Sequence, residues 1–407
     1  MSVESYPFDH SRHGPSFPVT CLLDCPAPSE TFIRRELDLL RQRGWPLTVR
    51  MLKGAPEALP FTWQALSAAD RGALLRAAGR RLRDELPRSP VTAARMLRRL
   101  PQAASLLHAV RQDGTCLLHA QFAGITADLA ALAAQAAGLP WSCAVHARDV
   151  FAAPPPLRFR RLRRAAAITA CSQQAANAVT DCGIPSEKVR VIHHGLPLAR
   201  FPFDPAREGQ TLFTACRLET KKGIDTLLHA CAILARRGTR FSCVIAGSGP
   251  LERDLYALAR RLALGAAVTF IGWLPQEEIR ARLMTARAVA LPSRRAADGD
   301  RDGIANILVE AMAIGTPIVT TEAGAAGEII ADRLNGRLVP PDDPDALAGA
   351  LDELLRSKDT AHVLSRAARA TVESRFDAEK NIAALEAFFA AAAGREKEEG
   401  GRMRDEG

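Results

Sequence analysis

With 407 residues the chain is longer than one ordinary core organises, so two or three domains are expected. Its 47% hydrophobic and 24% charged residues describe a globular chain rather than a disordered one, and no apolar run approaches the ~18 residues of a membrane span. A net charge of +9 points to anionic partners, namely nucleic acid, anionic lipid or anionic small molecules. The absence of RNP-type aromatic motifs, Cys/His zinc spacing and a dense lysine tail argues against nucleic acid.

Short apolar strands alternate with helices along the chain, the pattern of α/β architecture with parallel sheets. The opening MSVESYPFDHSRHGP lacks a basic-then-apolar leader pattern, so a cytoplasmic location is expected. A strand is expected at 19–23. A helix follows from about 29 to 43, stopped by Gly44, with Ser29 or Thr31 as cap and Ile33, Leu37 and Leu40 on one apolar face. Residues 47–52 read as a strand and 64–111 as an arginine-rich helical stretch, crowded between Arg71 and Arg99; a second basic run, RFRRLRR, spans 158–164. These arginines read either as solvated helix faces or as a basic, partly amphipathic surface for an anionic membrane. Strands are expected at 117–120, 141–145, 167–170 and 189–192, with a helix at 123–137 and a proline-rich break at 153–156. His193-His194-Gly195-Leu196-Pro197 and Phe201-Pro202-Phe203-Asp204-Pro205 mark the best domain boundary.

A second strand–helix series then begins. Strands are expected at 212–216, 241–245, 268–271, 288–291 and 317–320, and helices at 223–237, 251–262, 304–314, 345–355, 358–374 and 379–392. The tail REKEEGGRMRDEG is charged, poor in apolar residues and expected to be disordered. The domains read as residues 1–204, residues 205–375, a C-terminal helix over 376–392 and a tail over 393–407. Nine scattered cysteines without a CxxC fit reduced thiols in a cytosolic protein.

Two segments carry chemistry. In RLETKKGID, Arg217 and Lys222 share one loop between a strand end and a helix start, where open α/β sheets bind ligands. Two cations there would neutralise a diphosphate; alone, they also fit a solvated basic loop. The run DGDRDGIANILVEAMAIGTPIVTTEAGAAGE, over 298–328, sets Asp302 and Gly303 at the mouth of a helix, with Glu310 eight residues on. Helix N–H groups attract phosphate, and carboxylates accept hydrogen bonds from sugar hydroxyls. A site for a nucleotide-linked sugar needs both. Gly247-Ser248-Gly249-Pro250 lacks the third glycine of GxGxxG and the lysine of a P-loop, and reads as a strand–helix turn. Asp298-Gly299-Asp300 has DxD spacing but not the context of a metal site. His146 and His119, each within or just after a strand, read alone as structural histidines.

RLETKKGIDTLLHA, VIAGSGPLERDL, FIGWLPQEEI and ALPSR…DGIANILVEAMAIGTPIVTTEAGAAGEII follow one another in the order of the donor domain of family 4 glycosyltransferases, which the second half resembles. The first half, with SETFIRREL, LLHAQFAG, CAVHARDVF, TACSQQAANAV and KVRVIHHGLPLARF, resembles transferases of exopolysaccharide and colanic-acid-type assembly. The likeness covers roughly residues 17–390. It implies a GT-B fold, in which two Rossmann-like doubly wound domains face each other across a cleft and the C-terminal helix crosses back to the first domain.

By that resemblance Arg217 and Lys222 match the pair that holds the donor diphosphate, and Asp302 and Glu310 match the two acids of the family's E-x7-E motif. Glu310 would accept hydrogen bonds from ribose, and Asp302, which stands where the motif has Glu, would orient the transferred sugar. Gly303, Ile304 and Ala305 would present backbone N–H groups to sugar or phosphate, with Asn306 beside them; Ala305 stands where the family often has proline. Trp273 falls where the family lines its nucleobase pocket, although a core role fits equally. His146 matches the histidine beside the reacting centre, and Asp149 would position it. Ser29 and Glu30 stand where relatives carry a glycine-rich first loop. The resemblance implies a retaining, metal-independent transfer from a UDP- or GDP-sugar, with no cofactor, to a glycan or lipid-linked oligosaccharide, with an anionic membrane surface as a further partner and no nucleic acid. A nucleotide-sugar epimerase on a related fold and a non-catalytic basic membrane- or nucleic-acid-binding protein are the alternatives.

Overall fold

The computed structural model describes residues 17–24, 31–52, 63–87, 89–151, 162–206 and 208–394. Ser29, Glu30, the 153–156 break, residues 158–161 of the second basic run and the charged tail lie outside the described residues.

Two parallel sheets of six strands each organise the chain. The first contains β1 (Val19–Leu23), β2 (Leu47–Met51), β3 (Leu117–Gln121), β4 (Trp141–Val145), β5 (Ala167–Ala170) and β6 (Val189–Val191), in the order β2-β1-β3-β4-β5-β6. Every residue of β1, β3 and β4 is buried, as expected for parallel strands with helices on both faces. The second sheet contains β7 (Thr211–Ala215), β8 (Ser242–Ala246), β9 (Val268–Phe270), β10 (Ala288–Leu291), β11 (Ile318–Thr321) and β12 (Arg337–Val339), in the order β12-β11-β10-β7-β8-β9. In the second sheet the chain runs outward through β7, β8 and β9, then returns to lay β10 against the other side of β7. Such a reversal opens a crevice beyond the carboxyl ends of the two strands, and ligands of doubly wound sheets bind there.

The helix Ala378–Ala392 crosses back to the first sheet. Ile382, Leu385, Phe388 and Phe389 join Phe17, Val19, Ile33, Leu37 and Trp45 in one buried cluster. Glu386 fixes its register by accepting from Arg43 Nε at 2.8 Å and from Trp45 Nε1 at 2.9 Å. Asp377 caps its first turn through the N–H groups of Glu379 and Lys380.

Some expected elements change. The arginine-rich stretch is three helices, Ala68–Glu85, Pro90–Arg98 and Leu100–Gln112. Pro90 and Pro101 each fall in the first turn of a new helix, where a missing N–H costs nothing. The helices Ala147–Phe151, Gln173–Asp181 and Gln276–Thr285 and the strand β12 were not expected; all are short, with few large apolar residues to mark a period. The Gly-Ser-Gly-Pro turn after β8 packs onto the loop after β7. At Gly247 (φ 126°) a side chain would stand 1.8 Å from the Cys216 carbonyl oxygen, so the glycines serve close backbone packing there.

Candidate functional site

The crevice between β7 and β10 gathers the charged residues of the second domain. Lys222, in the turn after β7, places Nζ 2.8 Å from both carboxylate oxygens of Asp302. Asp302 follows β10 and also accepts from Ser293 Oγ at 2.7 Å. Burial, the largest single influence on Lys222, opposes its charge, but the Asp302 carboxylate together with Cys216 and Glu219 outweighs it and holds the ammonium above its ordinary range. Lys221 lies alongside and pairs with Asp300 at 3.0 Å, so the second of the DxD-spaced acids faces a lysine, while Asp298 accepts the Asp300 backbone N–H. Gly324 (φ 69°) lets the segment after β11 run against this pair; a side chain there would stand 2.2 Å from the Asp302 carbonyl oxygen.

The helix Asn306–Ile314 starts beyond Asp302. Ala305 at its N-cap supplies no side-chain hydrogen bond, so no side chain caps the first-turn N–H groups at that mouth. Gly303 presses on the first domain, where a side chain would stand 3.2 Å from Ala147 Cβ. One turn into the helix, Glu310 is buried, accepts from Gln276 Nε2 at 2.8 Å and lies 3.9 Å from Arg35 Nη2. Burial pushes its pKa up to about 7, against the pull of Arg35, Gln276 and Arg280. Arg217 is exposed at the rim, its Nε 2.8 Å from Glu219. Trp273 is 62% exposed, which excludes the core role.

The first domain faces this crevice with His146, directly after β4. The ring is buried between Phe32 and Phe122, with centroids at 5.3 and 4.4 Å, and stacks on His194 at 5.3 Å. Its Nε2 donates to Gln121 Oε1 at 3.1 Å. Asp149 holds His146 through the backbone, its carboxylate accepting the His146 N–H at 3.0 Å. Burial first, then the neighbouring His194 and His119, pull the His146 pKa well below the usual range, so this imidazole is neutral at physiological pH. His119 is a core residue, bonded to Ser142 Oγ at 2.8 Å and pulled down to about 3 by burial. His194 differs. Burial opposes its charge, but Glu36, 2.5 Å from Nδ1, and Cys171 push it up to about 10.

The halves are clasped together. Glu328, after β11, accepts the N–H groups of Gln173 and Gln174 at 2.8 and 2.7 Å, at the start of the first-domain helix Gln173–Asp181. A carboxylate from one domain thus sits on the positive helix end of the other. Arg301 covers the Phe151 ring at 3.8 Å, and Arg35 of the first domain reaches Glu310 of the second at 3.9 Å.

Residues 29–200 match the family model described as Glycosyltransferase Family 4, and residues 199–371 match that described as Glycosyl transferases group 1. The junction falls between the two sheets, and together the matches span both. The chain belongs to the family 4 glycosyltransferases.

AmsK of Erwinia amylovora, named as an amylovoran biosynthesis glycosyltransferase, is 36% identical over 198 residues, which are 48% of this chain and 49% of that one. WcaL of Escherichia coli strain K12, whose name assigns it provisionally to colanic acid biosynthesis as a glycosyltransferase, is 33% identical over 264 residues, 63% of this chain and 65% of that one. The chain therefore spans about half to two thirds of the length of these curated relatives. Anabaena HepE, solved in complex with UDP, superposes with a TM-score of 0.69 over 92% of this chain and 100% of that one, at 18% identity. The sucrose-phosphate synthase of Thermosynechococcus elongatus does so with a TM-score of 0.68 over 93% and 100%, also at 18% identity. At such identities the likeness shows the shared GT-B fold.

In this family 4 chain, Lys222, Asp302, Gly303, Ile304, Ala305, Asn306, Glu310 and His146 all lie along the cleft, while Arg217 and Trp273 stand at exposed positions on loops of the second domain. Arg35, Gln121, His194, Gln276 and Glu328 were missed as site residues. The HHG after β6 was read only as a boundary, although two histidines at a strand's carboxyl end are a signal in themselves.

The Glu310 shift has a consequence for stability. Its folded pKa lies above the ordinary value of 4.5, so the folded state holds the proton longer than the unfolded chain. Its contribution falls as pH rises from about 4.5 through about 7, then levels. Glu310→Gln is expected to remove roughly 3 kcal/mol of that decline, read as the difference between wild-type and variant urea unfolding at a series of pH values. Parallel curves for the two proteins would show that Glu310 titrates normally.

Proposed function

We propose that the chain moves a sugar, with retention of anomeric configuration, from a nucleoside diphosphate sugar to a hydroxyl of a glycan or lipid-linked acceptor in cell-surface polysaccharide assembly. One observation carries this reading. Lys222, largely withdrawn from water at the switch point of the second sheet, is held on the Asp302 carboxylate, and Gly303 beside that carboxylate packs on Ala147, the neighbour of the neutral His146 in the other domain. The names of the relatives, which concern amylovoran and colanic acid, and the UDP bound to HepE support the substrate classes.

The donor diphosphate would take Lys222 from Asp302, with Arg217 swinging in from the rim and the N–H groups of the helix Asn306–Ile314 completing the anion site. Glu310 would accept the ribose hydroxyls in place of Gln276, and Asp302, released, would accept hydroxyls of the transferred sugar. As the anomeric C–O bond breaks, its electron pair leaves on the diphosphate, and the ring gains oxocarbenium character. Lys222 and Arg217 stabilise the growing negative charge, which is the work a divalent ion does in other transferases. The acceptor oxygen forms the new bond on the same face, and its proton passes to the departing phosphate oxygen. His146, with Nε2 committed to Gln121, offers Nδ1 as an acceptor for a sugar hydroxyl.

Incubating the full chain with UDP- and GDP-sugars and a lipid-linked oligosaccharide tests this reading. Nucleoside diphosphate release should match formation of a glycan with the donor's anomeric configuration, read by NMR. Lys222→Ala should lower turnover by ~100-fold or more with the circular dichroism spectrum retained. Unchanged turnover in that variant, or conversion of donor alone to an epimer, would overturn the reading.

We also propose that the first domain rests on an anionic bilayer. Leu75, Leu86, Val91 and Leu97, exposed by 45–60%, lie on or beside the helices Ala68–Glu85 and Pro90–Arg98 among exposed Arg76, Arg80, Arg83, Arg95 and Arg98. Apolar side chains ringed by arginines suit the boundary between headgroups and acyl chains, each arginine adding about 1 kcal/mol at an anionic surface. Among the described residues no helix is long and apolar enough to cross a membrane. Co-sedimentation with phosphatidylglycerol vesicles is expected, with loss in high salt and in the double variant Leu86→Ser, Val91→Ser. Equal sedimentation with neutral vesicles would contradict it.

A further inference from the structure

The first-domain wall of the cleft carries a cluster that sugar transfer does not use as a unit. His146, Cys171 and His194 follow β4, β5 and β6, three neighbouring strands, and each offers a ligand atom within 4.8 Å of the other two. Each histidine already has one ring nitrogen engaged. Nδ1 of His194 bonds Glu36 at 2.5 Å, while its Nε2 is buried without a hydrogen-bond partner. Nε2 of His146 bonds the Gln121 amide oxygen at 3.1 Å, which leaves Nδ1 open. Metal-binding imidazoles are oriented in this way, the second nitrogen tied to a carboxylate or carbonyl. Cys171 is fixed through its own carbonyl, 3.0 Å from His193 Nδ1.

We propose that His146, Cys171 and His194 form a three-ligand site for a soft divalent cation of the zinc class, with the fourth position open to the cleft. Two imidazoles and a thiolate are a donor set for zinc rather than for magnesium or calcium. Zinc bonds of ~2.0–2.1 Å to nitrogen and ~2.3 Å to sulfur set tetrahedral ligands about 3.3–3.6 Å apart. Ligand atoms now within 4.8 Å of one another therefore close by up to about 1.2–1.5 Å on binding. The metal displaces the thiol proton of Cys171 and the Nε2 proton of the His194 imidazolium, and both go to solvent, while the Nδ1 proton stays on the bond to Glu36. Thiolate and Glu36 together balance two positive charges. Arg35 borders the same pocket, but its guanidinium is engaged by the Gly195 carbonyl and Glu310. Occupation removes His146 Nδ1 from the sugar, so the cation acts as a brake on transfer; that part rests on the transferase reading, and the site itself does not.

Cobalt(II) is the probe, added to the chelator-treated full chain. The expected spectrum shows thiolate-to-cobalt charge transfer in the near ultraviolet and visible bands of four-coordinate cobalt. One cobalt should bind per chain and be displaced by zinc. Cys171→Ser and His194→Gln should each abolish the charge-transfer band, and Glu36→Gln should weaken affinity by ~10–100-fold. Zinc should inhibit transfer by wild type, reversibly with chelator, and leave Cys171→Ser at its own metal-free rate. No charge-transfer band, or a band that survives Cys171→Ser or His194→Gln, would overturn the site. Cobalt binding as described without transfer under any condition would uphold the site and sink the transferase reading alone.

Discussion

The buried pair of Lys222 and Asp302 is the constraint on which the second domain turns. Both side chains are largely withdrawn from water, and each would be costly there without the other. A pair of this kind is weak evidence for stability, since an apolar replacement of similar volume often does as well. Its presence makes sense where one partner is to be exchanged. On the proposed function, a diphosphate entering the crevice would bring more negative charge than Asp302 and would free that carboxylate for neutral hydroxyls. The cation would thus be kept charged and in place before the ligand arrives, with little reorganisation left for the moment of reaction.

Topology explains why the pair sits where it does. The reversal of strand order between β7 and β10 opens the crevice, and the loops after these two strands carry Lys222 and Asp302. The first sheet contributes His146 by the same logic, from the carboxyl end of β4. Glu328 on the helix Gln173–Asp181 and the crossing helix Ala378–Ala392 hold the two rows of strand ends face to face. The site is therefore shared between domains, and its geometry depends on contacts that neither half makes alone.

Much of this was legible in the sequence. Eleven of the twelve strands are short runs rich in apolar and β-branched residues that read as strands, and only β12, three residues beginning with arginine, escaped. Lys222, Asp302 and Glu310 stood out only together, as a basic loop at a strand end and two acids spaced eight residues apart around a helix mouth, in the order of the family 4 donor domain. Long-range partners were not legible. Nothing local connects Gln276 to Glu310, Arg35 to Glu310, or Glu36 to His194, since those distances come from how the helices and sheets pack. The resemblance assigned Asp149 to position His146, but not by which contact; a short helix turns its carboxylate onto the His146 backbone N–H, and Gln121 from the adjacent strand takes the ring.

The exchange of Lys222 from Asp302 to phosphate is the central claim, and calorimetric titration of UDP and GDP into wild type, Lys222→Ala and Asp302→Asn addresses it most directly. The account predicts that Lys222→Ala loses affinity for the preferred nucleoside diphosphate, whereas Asp302→Asn gains it, because a buried cation without its carboxylate seeks another anion. Equal loss in both variants, or binding indifferent to both, would contradict it.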